Sequence, residues 1–326
     1  MALKAGATRF NSDSSQMEIW DGNQWTGILA TSPDLQTGGT RGLIMGGIIS
    51  GRSNVVDYIT ISTTGNVTEF GDLVQTSSQG AGLGSRVRAI AGGGTPSTPA
   101  GTNNIDHHEF ASTGDFTDFG DMNTTGFARV AVANSIRGVF MGRAVAPNTF
   151  NEIEYVTIAS TGNAKDFGDL ADTKHTMGAA GNSTRGIAVG GNPSNTTMDF
   201  VTLSTTGNAA DFGDCTVAIW NTRGGNCGNA VRGLMAGGEP GASNTIQYVT
   251  ISTLGNTVDF GDRTVAKSQI AHMSSTTRAC FAGAGEGDDD TIDYVQIATT
   301  GDAVDFGNLV SNYGYAAGAS NGHGGL

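Results

Sequence analysis

Acidic side chains are the most regular candidates for chemistry in this chain. One acid precedes and another follows most copies of a Phe-Gly pair, as in Asp166-Phe167-Gly168-Asp169. Carboxylates at regular spacing could bind cations or transfer protons. Because these acids return with every copy of the pair, we interpret them as turn residues that accept local hydrogen bonds or pair with arginines.

One acidic cluster, Asp288-Asp289-Asp290, occurs only once. A calcium ion takes about six to eight oxygen ligands, and a carboxylate cluster could supply several of them. The cluster lacks the alternating spacing and the distant glutamate of an EF-hand loop. We interpret it as a solvated acidic loop, and we predict no metal site and no cofactor.

The histidines do not predict a metal site either. His107 and His108 are adjacent in a strand-like segment, so their side chains should point to opposite faces. We interpret His107 as an aromatic substitute in the core. The remaining histidines share no register with one another, and they are His175, His272 and His323.

No familiar catalytic motif is found in the sequence. The glycine triplet at 92–94 follows a strand pattern but precedes no helix, which argues against a phosphate-binding loop. The cysteines lack metal-ligand spacing, and we expect Cys215, Cys227 and Cys280 to be free. We therefore expect a protein that is not an enzyme.

Charge and hydropathy exclude two classes of partner. The formal net charge is −13, from 17 basic and 30 acidic residues, which disfavours binding to nucleic acid phosphates. No apolar run approaches the roughly 18 residues of a membrane span, and the N-terminus lacks the apolar region of a signal peptide. We predict neither nucleic acid binding nor membrane insertion.

The acidic residues belong to a motif that recurs six times. Two copies read YVTIASTGNAKDFGD at 155–169 and FVTLSTTGNAADFGD at 200–214. Its phenylalanines, separated by 49, 48, 45, 48 and 46 residues, are Phe70, Phe119, Phe167, Phe212, Phe260 and Phe306. Repetition at this period predicts a β-propeller or a solenoid. The 51 glycines and the scarcity of helix-forming residues favour strands and turns.

Each repeat reads as four short strands. In the unit ending at Phe212, segments 173–180, 184–191, 199–204 and 209–212 are strand-like, and Gly207-Asn208 has the composition of a tight hairpin turn. Four short strands in tandem copies describe a propeller blade. The second strands carry periodic arginines: Arg41, Arg88, Arg137, Arg185, Arg232 and Arg278.

An apolar run ending in a glycine pair, followed by two spaced aromatic residues, resembles the kelch repeat. The pairs are Gly46-Gly47, Gly93-Gly94, Gly190-Gly191 and Gly237-Gly238, with Gly142-Arg143 and Gly283-Ala284 as degraded copies. Kelch repeats usually end in tryptophan, whereas this chain has phenylalanine, so it resembles a divergent branch. The resemblance covers residues 41–307 and implies an all-β, kelch-like β-propeller.

The N-terminal segment resembles a pattern common in tail-fibre proteins of tailed bacteriophages. It reads GATRFN at 6–11 and MEIWDGNQW at 17–25. With the kelch-like repeats, this resemblance implies a phage virion protein, made in the host cytoplasm and incorporated into the particle.

Both ends carry partial repeats. Residues 1–30 look like shortened second to fourth strands, and residues 308–326 look like a first strand. We therefore predict a single domain over 1–326, a seven-bladed propeller whose last blade combines the N- and C-terminal strands. The alternative is a six-bladed ring with an additional N-terminal hairpin.

The loops between the second and third strands vary while the frame repeats. Variable loops on a rigid frame are where binding specificity usually lies. The candidate binding residues in these loops are Asn103, Asn104, Asn148, Phe150, Asn195, Asn244, Asp288, Asp289 and Asp290.

The predicted function is that of a non-enzymatic virion structural protein, associated with the tail or a fibre. It would act in host adsorption or in docking of other virion proteins, with a host surface glycan or receptor as a further partner. The alternatives are a capsid decoration protein, and a carbohydrate-binding propeller or polysaccharide-degrading enzyme.

Overall fold

The protein is an all-β molecule, as the composition and the repeats predicted. The computed structural model describes residues 4–11, 16–27, 40–96, 101–193, 196–220, 225–285 and 289–326. These residues form 26 strands in seven antiparallel sheets of three or four strands, without a helix. The described part of the chain accordingly offers no helix that could cross a membrane. The chain divides into two compact units, Met1–Thr37 and Gly38–Leu326.

The first unit is a three-stranded sheet. Its turn is formed by Asp21, whose carboxylate accepts two backbone N–H groups at 2.8 Å. The rings of Trp20 and Trp25 contact each other across this turn, and Arg9 lies over Trp25 at 4.3 Å. The strands are β1 (Thr8–Asn11), β2 (Gln16–Trp20) and β3 (Trp25–Gly27).

The second unit consists of six sheets, one for each repeat. The first three, given in the order of strand pairing, are β26 (Ala317–Ser320), β4 (Arg41–Met45), β5 (Val55–Thr60) and β6 (Thr68–Asp72); β7 (Ala81–Gly84), β8 (Arg88–Gly92), β9 (Thr102–Glu109) and β10 (Thr117–Gly126); and β11 (Val130–Ala133), β12 (Arg137–Val145), β13 (Asn148–Thr157) and β14 (Lys165–Asp169).

The other three sheets follow the same plan, and the fifth has three strands within the described residues. They are β15 (Gly178–Gly181), β16 (Arg185–Val189), β17 (Thr197–Thr202) and β18 (Ala210–Asp214); β19 (Arg232–Ala236), β20 (Thr245–Thr250) and β21 (Val258–Asp262); and β22 (Ala271–Ser274), β23 (Arg278–Ala282), β24 (Thr291–Gln296) and β25 (Val304–Asn308).

The C-terminal strand corrects one prediction. β26 pairs with β4, from Ala317 opposite Met45 to Ser320 opposite Gly42, whereas β1, β2 and β3 pair among themselves. The prediction that both terminal segments complete one sheet was therefore wrong. The repeat that begins at Arg41 contributes only three strands to its own sheet, so the C-terminal strand supplies the missing one.

The periodic arginines connect neighbouring sheets. Each one donates from Nη1 to the carbonyl oxygen that follows the third strand of the next sheet, at 2.5–3.2 Å. Five of them also lie over the aromatic ring of their own third strand, at 4.5–4.9 Å from the ring centroid. The pairs are Arg41–Phe110, Arg88–Ile158, Arg137–Leu203, Arg185–Ile251, Arg232–Ile297 and Arg278–Ile61.

The recurring Phe-Gly-Asp and Gly-Asn segments form a second set of contacts between sheets. Gly207 donates its N–H to the carbonyl of Phe167 at 2.7 Å, and the Asn208 side chain accepts the N–H of Asp169 at 3.1 Å. Gly168, with a φ of +145°, leaves room for this approach, because a Cβ there would lie 2.5 Å from the Gly207 backbone. This contact uses the backbone N–H of Asp169, and both acids of the segment lie in the fourth strand, so the predicted turn role of their carboxylates stays a prediction.

The apolar cores lie between adjacent sheets. One cluster packs Ile44 and Ile59 of the first sheet against Met273 and Phe306 of the sixth. Within each sheet, the first strand is fully buried and the fourth is mostly exposed, as the strands Gly178–Gly181 and Ala210–Asp214 illustrate. The small residues of the first strands permit this close packing.

Candidate functional site

A row of buried polar side chains lies on the third strands, at the position before the strand-three aromatic residue. Their exposed fractions are 0–5 %. The members are Asp57, Asp106, Glu154, Asp199, Gln247 and Asp293. Sequence analysis missed this row, although the recurrence of an acid at one strand position was a readable signal.

Each member of the row is bound by the segment that enters its sheet from the preceding repeat. Three of these contacts are buried ion pairs of 2.7, 3.0 and 3.3 Å, and one is a phenolic hydrogen bond of 2.7 Å. Gln247 instead accepts hydrogen bonds from two threonine hydroxyls. The other partners are Tyr313 for Asp57, Val74 N–H and Asn104 for Asp106, Arg129 for Glu154, Lys174 for Asp199 and Arg263 for Asp293.

These carboxylates therefore stabilise the fold. They sit under the entering segments, with their oxygens bound by the protein itself, and they are not presented to solvent. The repeats differ in the entering segments and in the loops between second and third strands. These segments therefore contain the candidate functional residues. Backbone bridges such as Trp220–Glu239 and Ser78–Thr95 bring these two kinds of segment together, and we call that edge of each sheet its loop end.

The third repeat extends its loop into a hairpin. Arg143 replaces the second glycine of the pair, whose counterparts have φ of +102° to +122°, and β12 continues to Val145. The Arg143 guanidinium stacks on Phe150 at 3.6 Å and bonds Glu152 at 2.9 Å. The hairpin thus presents a side-chain stack that the other repeats lack.

A cleft of about 460 Å³ opens at the loop ends of the fifth and sixth repeats. Its volume is that of a small-molecule site. Trp220 and Glu239 form one side through reciprocal backbone hydrogen bonds of 3.3 and 2.8 Å. The cleft is lined by Trp220, Glu239, Ala242, Ala266, Lys267, Ser268 and Gln269.

Gln269 is the most unusual residue of the cleft. Its side chain is 7 % exposed, and Oε1 is buried without a hydrogen-bond partner. Its φ of +61° recurs at the same repeat position in Gln79, Ala128, Thr176 and Tyr315, so this conformation belongs to the repeating frame. The Oε1 atom lies against Gly285 and has almost no accessible surface, so it is not presented to the cleft.

Glu239 is held in place by its own loop. Its Oε2 accepts the N–H groups of Gly241 at 2.7 Å and Ala242 at 3.3 Å. A fixed carboxylate and an indole suit a ligand with an apolar face and N–H or O–H donors. Trp220 and Gln269 were missed by sequence analysis, which considered only the loops between second and third strands.

The predicted residues of the second repeat lie in a strand, not in a loop. Asn103 and Asn104 belong to β9. The Asn104 Nδ2 donates to Asp106 at 2.8 Å, so this side chain supports the buried row. The predicted loop included residues that belong to β9, because the polar run TNNID at 102–106 does not have the pattern of a strand.

The predicted residues of the third and fifth repeats lie at the loop ends. Asn148 is exposed and begins β13, while Phe150 lies under Arg143. Asn244 uses its backbone carbonyl to accept the Arg263 N–H at 2.7 Å. Ligand binding by these residues stays a prediction, as it does for Asn195, which lies outside the described residues.

The acidic cluster of the sixth repeat is partly buried. Asp289 is 6 % exposed and accepts the Thr291 N–H at 3.0 Å, so the prediction of a solvated loop was wrong at this residue. Asp290 accepts a hydrogen bond from the Asn308 side chain at 3.1 Å. Asp288 lies outside the described residues. Asp289 thus closes its local turn, whereas Asp290 binds the end of the fourth strand of its sheet.

The histidines and cysteines are packing residues in the described structure. His107 contacts Phe119 edge to face with ring centroids 5.4 Å apart, which confirms its interpretation as an aromatic substitute. Burial raises the pKa of the Cys215 thiol to about 12, which argues against a nucleophilic thiolate. All three cysteines are free and buried, as predicted for Cys215, Cys227 and Cys280.

Among the residues that the structure describes, no three His, Cys, Asp or Glu side chains come together as metal ligands. A scan against models of protein families and a search of curated proteins each found no match to the chain.

Proposed function

We propose that this chain is a non-enzymatic binding component of a tailed-phage virion, acting in adsorption or in docking of other virion proteins. Its six repeat sheets would form a six-bladed, kelch-like propeller, with the ligand held at the loop ends. The virion context rests on the N-terminal resemblance to tail-fibre proteins. The binding role rests on the geometry of the loop ends.

Two circuits of contacts support a closed ring. The arginine contacts step from each sheet to the next and return to the first, because Arg278 bonds the carbonyl of Ile61. The Gly-Asn contacts return in the same way, since the Asn66 side chain accepts the N–H of Asn308 at 3.0 Å. A ring needs no protected outer edges between its blades.

The cleft at Trp220 is the observation that carries the binding role. It combines a suitable volume, the aromatic side chain of Trp220 and the fixed carboxylate of Glu239. These features favour a saccharide, whose ring has an apolar face and whose hydroxyls are donors. Hydrolysis of a glycosidic bond would require two facing carboxyl groups. The described lining contributes one carboxylate, Glu239, which favours binding over cleavage.

Glycan-array binding of the purified protein tests the ligand class. We expect Trp220→Ala to reduce binding at least tenfold, because buried aromatic anchors dominate binding energies. Leu254→Ala, at an exposed side chain between the third and fourth strands of the fifth repeat, is the matched control and should bind normally. Equal loss in both variants, or no glycan bound by the unaltered protein, would contradict the proposed cleft.

The virion role needs a separate test. Mass spectrometry and cryo-electron microscopy of purified phage particles should find the chain in the particle, at the tail, a fibre or the capsid. Its absence from particles would overturn the virion role and leave the binding site to be judged by the glycan array.

A further inference from the structure

Asp106 accepts hydrogen bonds from neutral donors, as Asp57 does from the Tyr313 hydroxyl, whereas Glu154, Asp199 and Asp293 are paired with cations. Asp106 accepts the Val74 N–H at 3.2 Å and the Asn104 side chain at 2.8 Å, and both donors are neutral. It is 5 % exposed. A carboxylate buried with neutral donors alone is costly, because desolvation disfavours its charged form.

The residue at this place varies among the repeats, and in two of them it binds the carboxylate of the row. Seven residues after the motif phenylalanine, the fourth sheet has Lys174, whose Nζ lies 2.7 Å from Asp199 Oδ2. The first sheet has Tyr313 there, whose hydroxyl bonds Asp57. The second sheet has Ser77, a much smaller residue.

A cavity lies where the larger side chains are missing. Three residues further along the chain, Met177 of the fourth sheet also has a small counterpart, Gly80 in the second. The cavity has a volume of about 20 Å³, enough for one water-sized particle. Its polar lining comes from Gln75, Ser77, Asn104 and Asp106.

We propose that this cavity binds one monovalent cation of ammonium size, K⁺ or NH₄⁺, against the Asp106 carboxylate. The ion would occupy the place that the Lys174 ammonium takes beside Asp199. Hydroxyl, amide and carboxylate oxygens suit a hard cation. With a single carboxylate, the site has one negative charge to neutralise, and a monovalent ion does so.

The titration of Asp106 agrees with this geometry. Burial raises the pKa of its carboxyl group to about 6, against the opposing hydrogen bonds from Val74 and Asn104, with a further increase from the charge of Asp118. The protein alone therefore does not supply the positive charge that an ionised Asp106 needs. This site is independent of the cleft at Trp220 and of the proposed function.

Thermal unfolding at pH 7.5 in chloride salts of equal ionic strength tests the site. We expect the melting temperature to rise by roughly 2–6 °C with saturating K⁺ or NH₄⁺, relative to tetramethylammonium, which is too large for the cavity. Asp106→Asn should abolish the difference between the salts. A Tl⁺ soak of crystals should place an anomalous peak beside Asp106.

Two reciprocal variants use the repeats as controls. Ser77→Lys should fill the cavity with a covalent ammonium and remove the response to K⁺. Lys174→Ser should create a second cavity, at Asp199, and enlarge the response. Equal melting temperatures of the unaltered protein in all salts, with Asp106→Asn more stable in each, would overturn the proposal and indicate a protonated Asp106 beside water.

Discussion

At the scale of single residues, two repeat positions place charged side chains between the sheets. The second-strand arginines bond the next sheet, and the strand-three acids bind the segment that enters their sheet. The partners change together: Gln247 replaces an acid where the entering segment offers the Thr216 hydroxyl in place of a cation or a phenol. Charge at these two positions therefore serves the contacts between sheets.

Two buried histidines make stability sensitive to acid. Burial lowers the pKa of His272 and of His323 to about 4. His323 is fixed by Nε2, which lies 2.8 Å from the Gly84 carbonyl, and by Nδ1, which accepts the Gly325 N–H at 3.1 Å. Because the folded state prefers the neutral rings, stability is complete above the unfolded pKa of about 6.5 and is lost as pH falls toward 4.

We expect each of the two histidines to cost about 2 kcal/mol of unfolding free energy between pH 7 and pH 5. Asp106 acts in the opposite direction, since its raised pKa favours the folded state below about pH 6. Urea unfolding at several pH values should show a shallower acid loss in His323→Gln than in the unaltered protein. His108→Gln, at a partly exposed ring, should keep the original slope, and an unchanged slope in His323→Gln would contradict the assignment.

Sequence reasoning at this scale succeeded where residues repeat and failed where they are unique. The role of His107 as an aromatic substitute followed from periodicity alone. Sequence analysis did not identify the buried row, because its members vary among Asp, Glu and Gln. Their partners also lie on segments that are distant in sequence. The Gln269 conformation has no signature in its residue type.

At the scale of elements, the glycine of the Phe-Gly-Asp segment determines how closely two sheets approach. Gly168 and Gly162 have nearly the same φ, +145° and +148°. A Cβ on Gly168 would lie 2.5 Å from the Gly207 backbone, whereas a Cβ on Gly162 meets nothing within 4 Å. The two positions separate backbone strain from contact between sheets.

We expect Gly168→Ala to lose about 3 kcal/mol or more of unfolding free energy and Gly162→Ala about 1–2 kcal/mol, from strain alone. Chemical denaturation of both variants measures the difference. Similar losses in the two variants would mean that the approach of Gly207 adds little to stability.

The elements also show how far periodicity predicts structure. The four-strand plan of a unit, its hairpin turn at Gly207-Asn208 and the all-β class were all readable. Arg143 in place of glycine indicated that the third repeat differs at its loop. Nothing in the sequence indicated the length of the hairpin extension. Strand limits near polar runs such as TNNID depend on pairing with the neighbouring strand, which a single segment does not encode.

At the scale of the whole molecule, the C-terminal residues are a structural component of the first sheet. β26 supplies one strand, and the following residues 321–325 are buried. His323 bonds the Gly84 carbonyl, and a Cβ on Gly324 would collide with the Asn229 carbonyl. Glycines are therefore required where this tail lies against other sheets.

Two deletions compare the two terminal segments. Removing residues 317–326 takes a strand and its buried tail from the second unit, and we expect an insoluble or molten product. Removing residues 1–37 takes a separate compact unit, and the remaining chain should melt within about 3 °C of the original. Circular dichroism and thermal unfolding measure both. Collapse of the second variant would restore the prediction that the N-terminal strands complete the fold.

The pairing of β26 with β4 also has a consequence for synthesis on the ribosome. The partner of Met45 is Ala317, so 272 residues must be translated before the first sheet can be completed. At about 5–20 residues per second, that sheet waits roughly 15–55 s with one edge open. A chain that stops before residue 317 would leave β4 without this partner strand and with an exposed edge. The first sheet therefore acquires its fourth strand only after residues 317–320 have been translated.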